Sequence, residues 1–177
     1  SFMELVFEGL DTICDIFLNG EKLDSVKNMH RTFVYDVKDR LKLGTNTIRL
    51  DFASPNAYFR KMEEKRHVYT NADTLQGAAQ LRKALYMPGW DWGPKLPDMG
   101  IWRDVYLECR RDGRIAHAYY RQNHHDGVVE LTAQMEFSCD AQHSAMLSIL
   151  SPDGVLLYES ENIAVSDNRA ECTCTIE

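Results

Sequence analysis

Apolar and polar residues alternate along most of the chain. Ile48, Leu50 and Phe52 point one way while Thr47, Arg49 and Asp51 point the other. Leu131, Ala133, Met135 and Phe137 repeat the pattern, as do Ala170, Cys172, Cys174 and Ile176. A period of two puts successive side chains on opposite faces of a strand. Strands with one dry and one wet face belong to antiparallel sheets that pack as sandwiches. The turn residues agree. Asn19-Gly20 predicts a tight hairpin, because both positions tolerate positive φ. Gly44-Thr45-Asn46, Asp126-Gly127 and Ser151-Pro152-Asp153-Gly154 punctuate the rest.

One region breaks the rhythm. From Ser54-Pro55 to Tyr86 the alternation gives way to helix formers, first Met62-Glu63-Glu64-Lys65 and then Ala78-Ala79-Gln80-Leu81-Arg82-Lys83. Ser54 suits an N-cap and Pro55 the first helical position. The expectation is a long connection carrying short helices, and connections of this length inside a compact domain usually serve a function. Strand signals resume over residues 101–107, and a polar break at Arg110 to Arg114 predicts a domain boundary near Arg111. The second strand-rich stretch, which has no helix signal, is shorter than the roughly 100 residues of an immunoglobulin-like sandwich. Both ends are therefore expected to be incomplete, and Ser1-Phe2-Met3-Glu4-Leu5 enters a strand almost at once.

Composition narrows the function classes. Lys and Arg number 20 against 27 Asp and Glu, a net charge of −7, which disfavours binding to a phosphate backbone. Arg110-Arg111 and Arg114 share their turn with Asp112 and read as solvated. No apolar run is long enough to span a bilayer, so neither nucleic acid nor membrane is an expected partner. Cys14, Cys109, Cys139, Cys172 and Cys174 show no metal-like spacing. They read as core thiols in a reducing compartment, with Cys172 and Cys174 facing the same way. No metal or cofactor is expected.

The densest unusual segment is Pro88-Gly89-Trp90-Asp91-Trp92-Gly93-Pro94. Indole faces accept the apolar C–H faces of a sugar, and a carboxylate between them accepts charge-assisted hydrogen bonds from hydroxyls. The alternative is a loop whose tryptophans plug the sandwich and whose Asp91 caps backbone N–H groups; composition leaves both open. The chain has no Gly-x-Ser-x-Gly elbow, phosphate loop or His-Glu-x-x-His helix. His124-His125 before Asp126-Gly127 reads as a wet turn, and His30 and His67 as structural or surface groups. No catalytic residue is predicted.

Phe7-Glu8-Gly9-Leu10-Asp11-Thr12, Leu18-Asn19-Gly20 and Asn28-Met29-His30-Arg31 together resemble the sugar-binding N-terminal domain of glycoside hydrolase family 2. Arg82-Lys83, Gly89-Trp90-Asp91-Trp92-Gly93-Pro94 and Gly100-Ile101-Trp102-Arg103 narrow the resemblance to the β-mannosidase branch. It covers roughly residues 3 to 116 and departs from the usual pattern at Leu85-Tyr86-Met87-Pro88. The resemblance implies an all-β chain. Residues 1–110 would form a partial jelly-roll, galactose-binding-like β-sandwich with a helical insertion, and residues 111–177 a partial immunoglobulin-like β-sandwich. It further implies a parent that is an exo-acting, retaining β-mannosidase whose two catalytic glutamates sit on a barrel outside this chain. Trp90, Asp91 and Trp92 would line the terminal-mannose pocket, with a β-mannoside oligosaccharide and that barrel as partners. A free-standing carbohydrate-binding module, a purely structural brace and another family 2 glycosidase are the competing readings.

Overall fold

The computed structural model describes residues 2–91, 93–111, 113–139 and 143–176. It falls into two compact units, the first over Phe2–Cys109 and the second from Arg110 onward.

The first unit contains β1 (Phe2–Phe7), β2 (Leu10–Asp11), β3 (Ile13–Leu18), β4 (Glu21–Lys27), β5 (Phe33–Asp36) and β6 (Ile48–Phe52). After the connection come β7 (Gly100–Ile101) and β8 (Val105–Arg110). One three-stranded sheet has the order β5-β1-β8, the other β4-β3-β6, and β2 pairs separately with β7. A single apolar cluster takes Leu5 and Phe7 from the first sheet and Cys14, Ile16, Leu18 and Val26 from the second. Phe33, Tyr35 and Val105 flank it on one side, Leu50 and Phe52 on the other. The two sheets therefore close face to face on one core, the sandwich solution for half-dry strands. β3 alternates strictly, with Cys14, Ile16 and Leu18 buried. Ile48, expected on the buried face of β6, is exposed at the strand's start.

The turn chemistry is realised. Asn19 (φ 52°) and Gly20 (φ 89°) close the β3–β4 hairpin in left-handed conformations. Ser54 caps α1 (Pro55–Lys65), accepting from the Ala57 N–H at 3.4 Å, with Pro55 in the first turn. The helix buries Phe59 in a satellite cluster with Ala78 and Leu81, flanked by Ile13 and Leu75. The helix-forming run at residues 78–83 behaves differently from its composition. Only Ala78–Gln80 winds, as a single 3-10 turn, and Leu81 is already extended. Gly77 enters that turn at φ 83°, where a β-carbon would lie 2.2 Å from the Phe59 carbonyl oxygen. The strand expected over residues 101–107 is likewise split. Its first part pairs with β2 and its second belongs to the β1 sheet, so the chain changes partner across residues 102–104.

The second unit is built on β9 (Arg114–His125), β10 (Val128–Ser138) and β15 (Arg169–Ile176), in the order β15-β10-β9. Asp126 and Gly127 make the β9–β10 turn at φ 48° and 79°. Leu131 faces Cys174, Ala133 faces Cys172 and Met135 faces Ala170 across the central pairing. Two small ribbons complete the unit: β11 (Ser144–Ala145) with β14 (Ile163–Ala164), and β12 (Ser148–Leu150) with β13 (Leu156–Glu159). Leu147, Ile149, Tyr158 and Ile163 pack against the Leu131–Cys174 face, so this unit too is layered β on β.

Cys14 and Cys174 are buried, whereas Cys109 is exposed, which corrects the expectation of five core thiols. Among the described residues no helix is long and apolar enough to cross a membrane, and no cluster of His, Cys, Asp and Glu is arranged to hold a metal.

Candidate functional site

Three sequence segments that are far apart in the chain meet beside β2. Asp11, the third residue of Gly9-Leu10-Asp11-Thr12, is buried to 3% exposure, and Lys83 to 4%. The Lys83 Nζ donates to Asp11 Oδ2 and, at 2.7 Å, to the Asp98 carbonyl. Thr12 Oγ1 donates to the other Asp11 oxygen. Both carboxylate oxygens are thus engaged, and the ammonium has two oxygen partners. A buried pair satisfied in this way is tolerated, while removing one member leaves an uncompensated charge and costs about 3–5 kcal/mol.

Met29 forms a second junction. Its N–H donates to the Arg82 carbonyl at 3.0 Å, and its carbonyl accepts from the Trp102 indole N–H at 3.1 Å. The Ala84 N–H points at its sulfur, 3.0 Å away. Arg103 stacks its guanidinium 4.2 Å from the Trp102 ring centroid. The two strand-like ends of the connection, near residues 82–84 and 98–102, are therefore both bonded to fixed points on the sandwich.

Between these ends runs the tryptophan-rich loop. Pro88 and Gly89 are buried, and their carbonyls accept from the Leu75 N–H at 3.0 Å and the Thr74 hydroxyl at 3.3 Å. Gly89 has φ 137°, and a β-carbon there would sit 2.2 Å from the Asp73 carbonyl oxygen, so only glycine fits. The next residues turn outward. Trp90 is 44% exposed, and the Gly93 N–H returns to its carbonyl at 3.2 Å. Asp91 is exposed and has no hydrogen-bond or ion-pair partner among the described residues. Trp92, the third predicted site residue, lies outside the described residues.

Composition leaves two readings of this loop open, and the structure bears on Trp90 and Asp91. Trp90 does not plug the core, and Asp91 caps no backbone N–H of the described residues. An exposed indole beside an unengaged carboxylate, on a backbone locked by Gly89, presents the donor–acceptor chemistry that a polyol needs. The motif residues were visible in the sequence; the junctions were not. Asp11, Met29 and Lys83 were legible only as members of separate motifs, because nothing in their spacing says that they meet.

An all-β sandwich that displays such a loop from a long interstrand connection is a domain of the galactose-binding-like kind. The chain belongs to the glycosyl hydrolase 2 galactose-binding domain-like family, whose model matches residues 1–103. Its similarities lie in the β-mannosidase branch of glycoside hydrolase family 2. It is 28% identical to the β-mannosidase of Bos taurus over 176 residues, 95% of this chain and 20% of that protein. It is 31% identical to the β-mannosidase B of Neosartorya fischeri over 175 residues, again 95% of this chain and 20% of that protein. The crystal structure of the β-D-mannosidase of Dictyoglomus thermophilum superposes with a TM-score of 0.84 at 26% identity, covering 100% of this chain and 22% of that one. The chain therefore spans about a fifth of the length of the curated relatives it matches. A Bifidobacterium dentium β-glucuronidase shares the fold at TM-score 0.65 and 16% identity. The fold by itself thus does not choose the sugar.

Proposed function

We propose that this chain is a non-catalytic portion of an exo-acting, retaining β-mannosidase, and that the Trp90-Asp91-Trp92 loop forms one wall of its terminal-mannose pocket. In this reading the catalytic carboxylates come from a barrel elsewhere in the same polypeptide. The loop supplies binding energy to the end of the substrate that an exo-enzyme must grip. Residues 1–110 act as the jelly-roll domain that presents the loop, and residues 111–177 as an immunoglobulin-like sandwich that follows it.

The observation that carries the reading is Asp91. A carboxylate exposed on an anchored loop, beside an exposed indole and without a described internal partner, is open to a partner from outside the domain. Its oxygens are left for hydroxyls from outside the domain.

The test is the Asp91→Ala substitution in the longer protein, assayed on an aryl β-mannoside. Loss of a hydrogen bond to a charged group is worth about 1.5–3 kcal/mol, so kcat/KM should fall by roughly 10- to 150-fold. The melting temperature should stay within about 1 °C, since Asp91 bonds to no described residue. A shifted melting temperature with unchanged kcat/KM would assign Asp91 to structure instead. Preference of the longer protein for a β-galactoside or β-glucosaminide would keep the family and remove the mannoside. Turnover by the 177-residue chain alone would overturn its non-catalytic role.

A further inference from the structure

Lys83 and Asp98 lie fifteen positions apart, and a single hydrogen bond from the Lys83 ammonium to the Asp98 carbonyl joins them. The segment closed by that bond is the tryptophan-rich loop, with Asp91 near its midpoint. The same ammonium is held from below by Asp11, whose strand β2 pairs through Asp11 with Gly100, two residues beyond Asp98. One buried cation therefore ties together the strand under the loop, the residue where the loop leaves and the residue where it returns. Lysine suits this task, because a compact ammonium on a flexible stem carries three donors that can diverge toward separate acceptors. Apart from Asp11 and Lys83, no buried residue of the described chain is charged.

A buried ion pair is seldom justified by stability, since an apolar pair of the same volume often does as well. In some systems such a pair serves instead to specify one arrangement over others. Here the arrangement specified is the height and direction at which the loop leaves the sandwich.

We propose that Lys83 and Asp11 are positioning residues for sugar binding: without touching the substrate, their ion pair sets the base of the loop so that Trp90 and Asp91 meet the terminal sugar. This rests on the loop being a wall of the sugar pocket. A one-ångström displacement of a group aimed at a substrate costs binding out of proportion to any loss of fold.

The experiment measures kcat and KM for an aryl β-mannoside in the longer protein carrying Lys83→Arg, Lys83→Met or the double change Lys83→Met with Asp11→Asn. Each is then combined with Asp91→Ala. Lys83→Arg retains a buried, paired charge but replaces the diverging donors with a planar fork. It decides the matter if the other two do not fold. In every variant that folds, KM should rise at least fivefold, with the melting temperature of Lys83→Arg within about 5 °C of the parent. In the variant background, Asp91→Ala should cost less than half, in fold-change, of what it costs alone, because a misplaced carboxylate has less to lose.

A folded Lys83→Arg protein with unchanged KM would overturn the proposal. So would full multiplication of the Lys83 and Asp91 effects, which would show that the pair acts on activity by another route. If Asp91→Ala alone leaves KM and kcat untouched, the pocket-wall reading itself fails, and that outcome is separate from either result at Lys83.

Discussion

The pyrrole edge of Trp102 rests against the backbone of Gly9 so closely that a β-carbon at Gly9 would lie 2.4 Å from the indole nitrogen. The contact holds the two chain segments in register, with the Trp102 backbone N–H donating to the Gly9 carbonyl at 3.2 Å. The indole nitrogen continues the connection to the Met29 carbonyl.

Gly9→Ala should therefore destabilise the chain although it adds only one methyl group. The indole must move, and in moving it stretches its bond to Met29. Overpacking of this kind costs about 1–3 kcal/mol. Urea unfolding followed by tryptophan fluorescence measures it, and a loss under about 0.5 kcal/mol would show that the indole yields freely.

Asn19 is the second position where a small change should be felt. It holds φ 52° in the hairpin turn, and its side chain reaches across to a separate loop. The amide donates to the Arg40 carbonyl at 3.0 Å and to Asn46 Oδ1 at 2.9 Å, while its oxygen accepts from the Thr47 N–H at 3.1 Å. Asn19→Ala should cost about 1–3 kcal/mol, as bonds are lost and alanine resists the left-handed region. Asn19→Gly relieves the backbone but not the bonds, and should recover only part of the loss. Equal stability of the two variants would mean that the left-handed backbone costs alanine nothing. An Asn19→Gly protein as stable as the parent would mean that the side-chain bonds contribute nothing.

Alkaline pH should weaken the first unit in a defined window. Burial pushes the Cys14 thiol from 9.0 up to about 11, with the Asp15 and Asp51 carboxylates adding to it. Burial also raises the Tyr35 phenol, helped by its bond to Asp24. Between pH 9 and about 11 the unfolded chain releases the Cys14 proton while the folded chain keeps it, so stability falls as pH rises and is complete below pH 9. Urea midpoints at about pH 8 and pH 10 should differ, and Cys14→Val should reduce the difference. An unchanged slope in that variant would remove Cys14 as the cause.

How much of this was legible in the residues depends on how local the cause is. The Asn19-Gly20 and Asp126-Gly127 turns, the Ser54-Pro55 helix start and the shared face of Ala170, Cys172 and Cys174 needed nothing beyond their neighbours. Left-handed tolerance, capping and a period of two act within a few residues. Residues 78–83 have a helical composition, yet after one 3-10 turn the chain straightens and Lys83 reaches the buried Asp11. Residues 101–107 carry the strand formers of a single strand, yet they serve two partners and break between them.

By itself, then, the sequence determined the all-β class, the turns, the capped helix and the tryptophan-rich loop as the place to look. Only the tertiary structure decided that Asp11, Met29, Lys83 and Trp102 converge beneath that loop, and that Asp91 stands exposed rather than capping a described backbone N–H. Such contacts join segments up to 73 positions apart, and their residue types carry no mark of the partner until two sheets close on a common core.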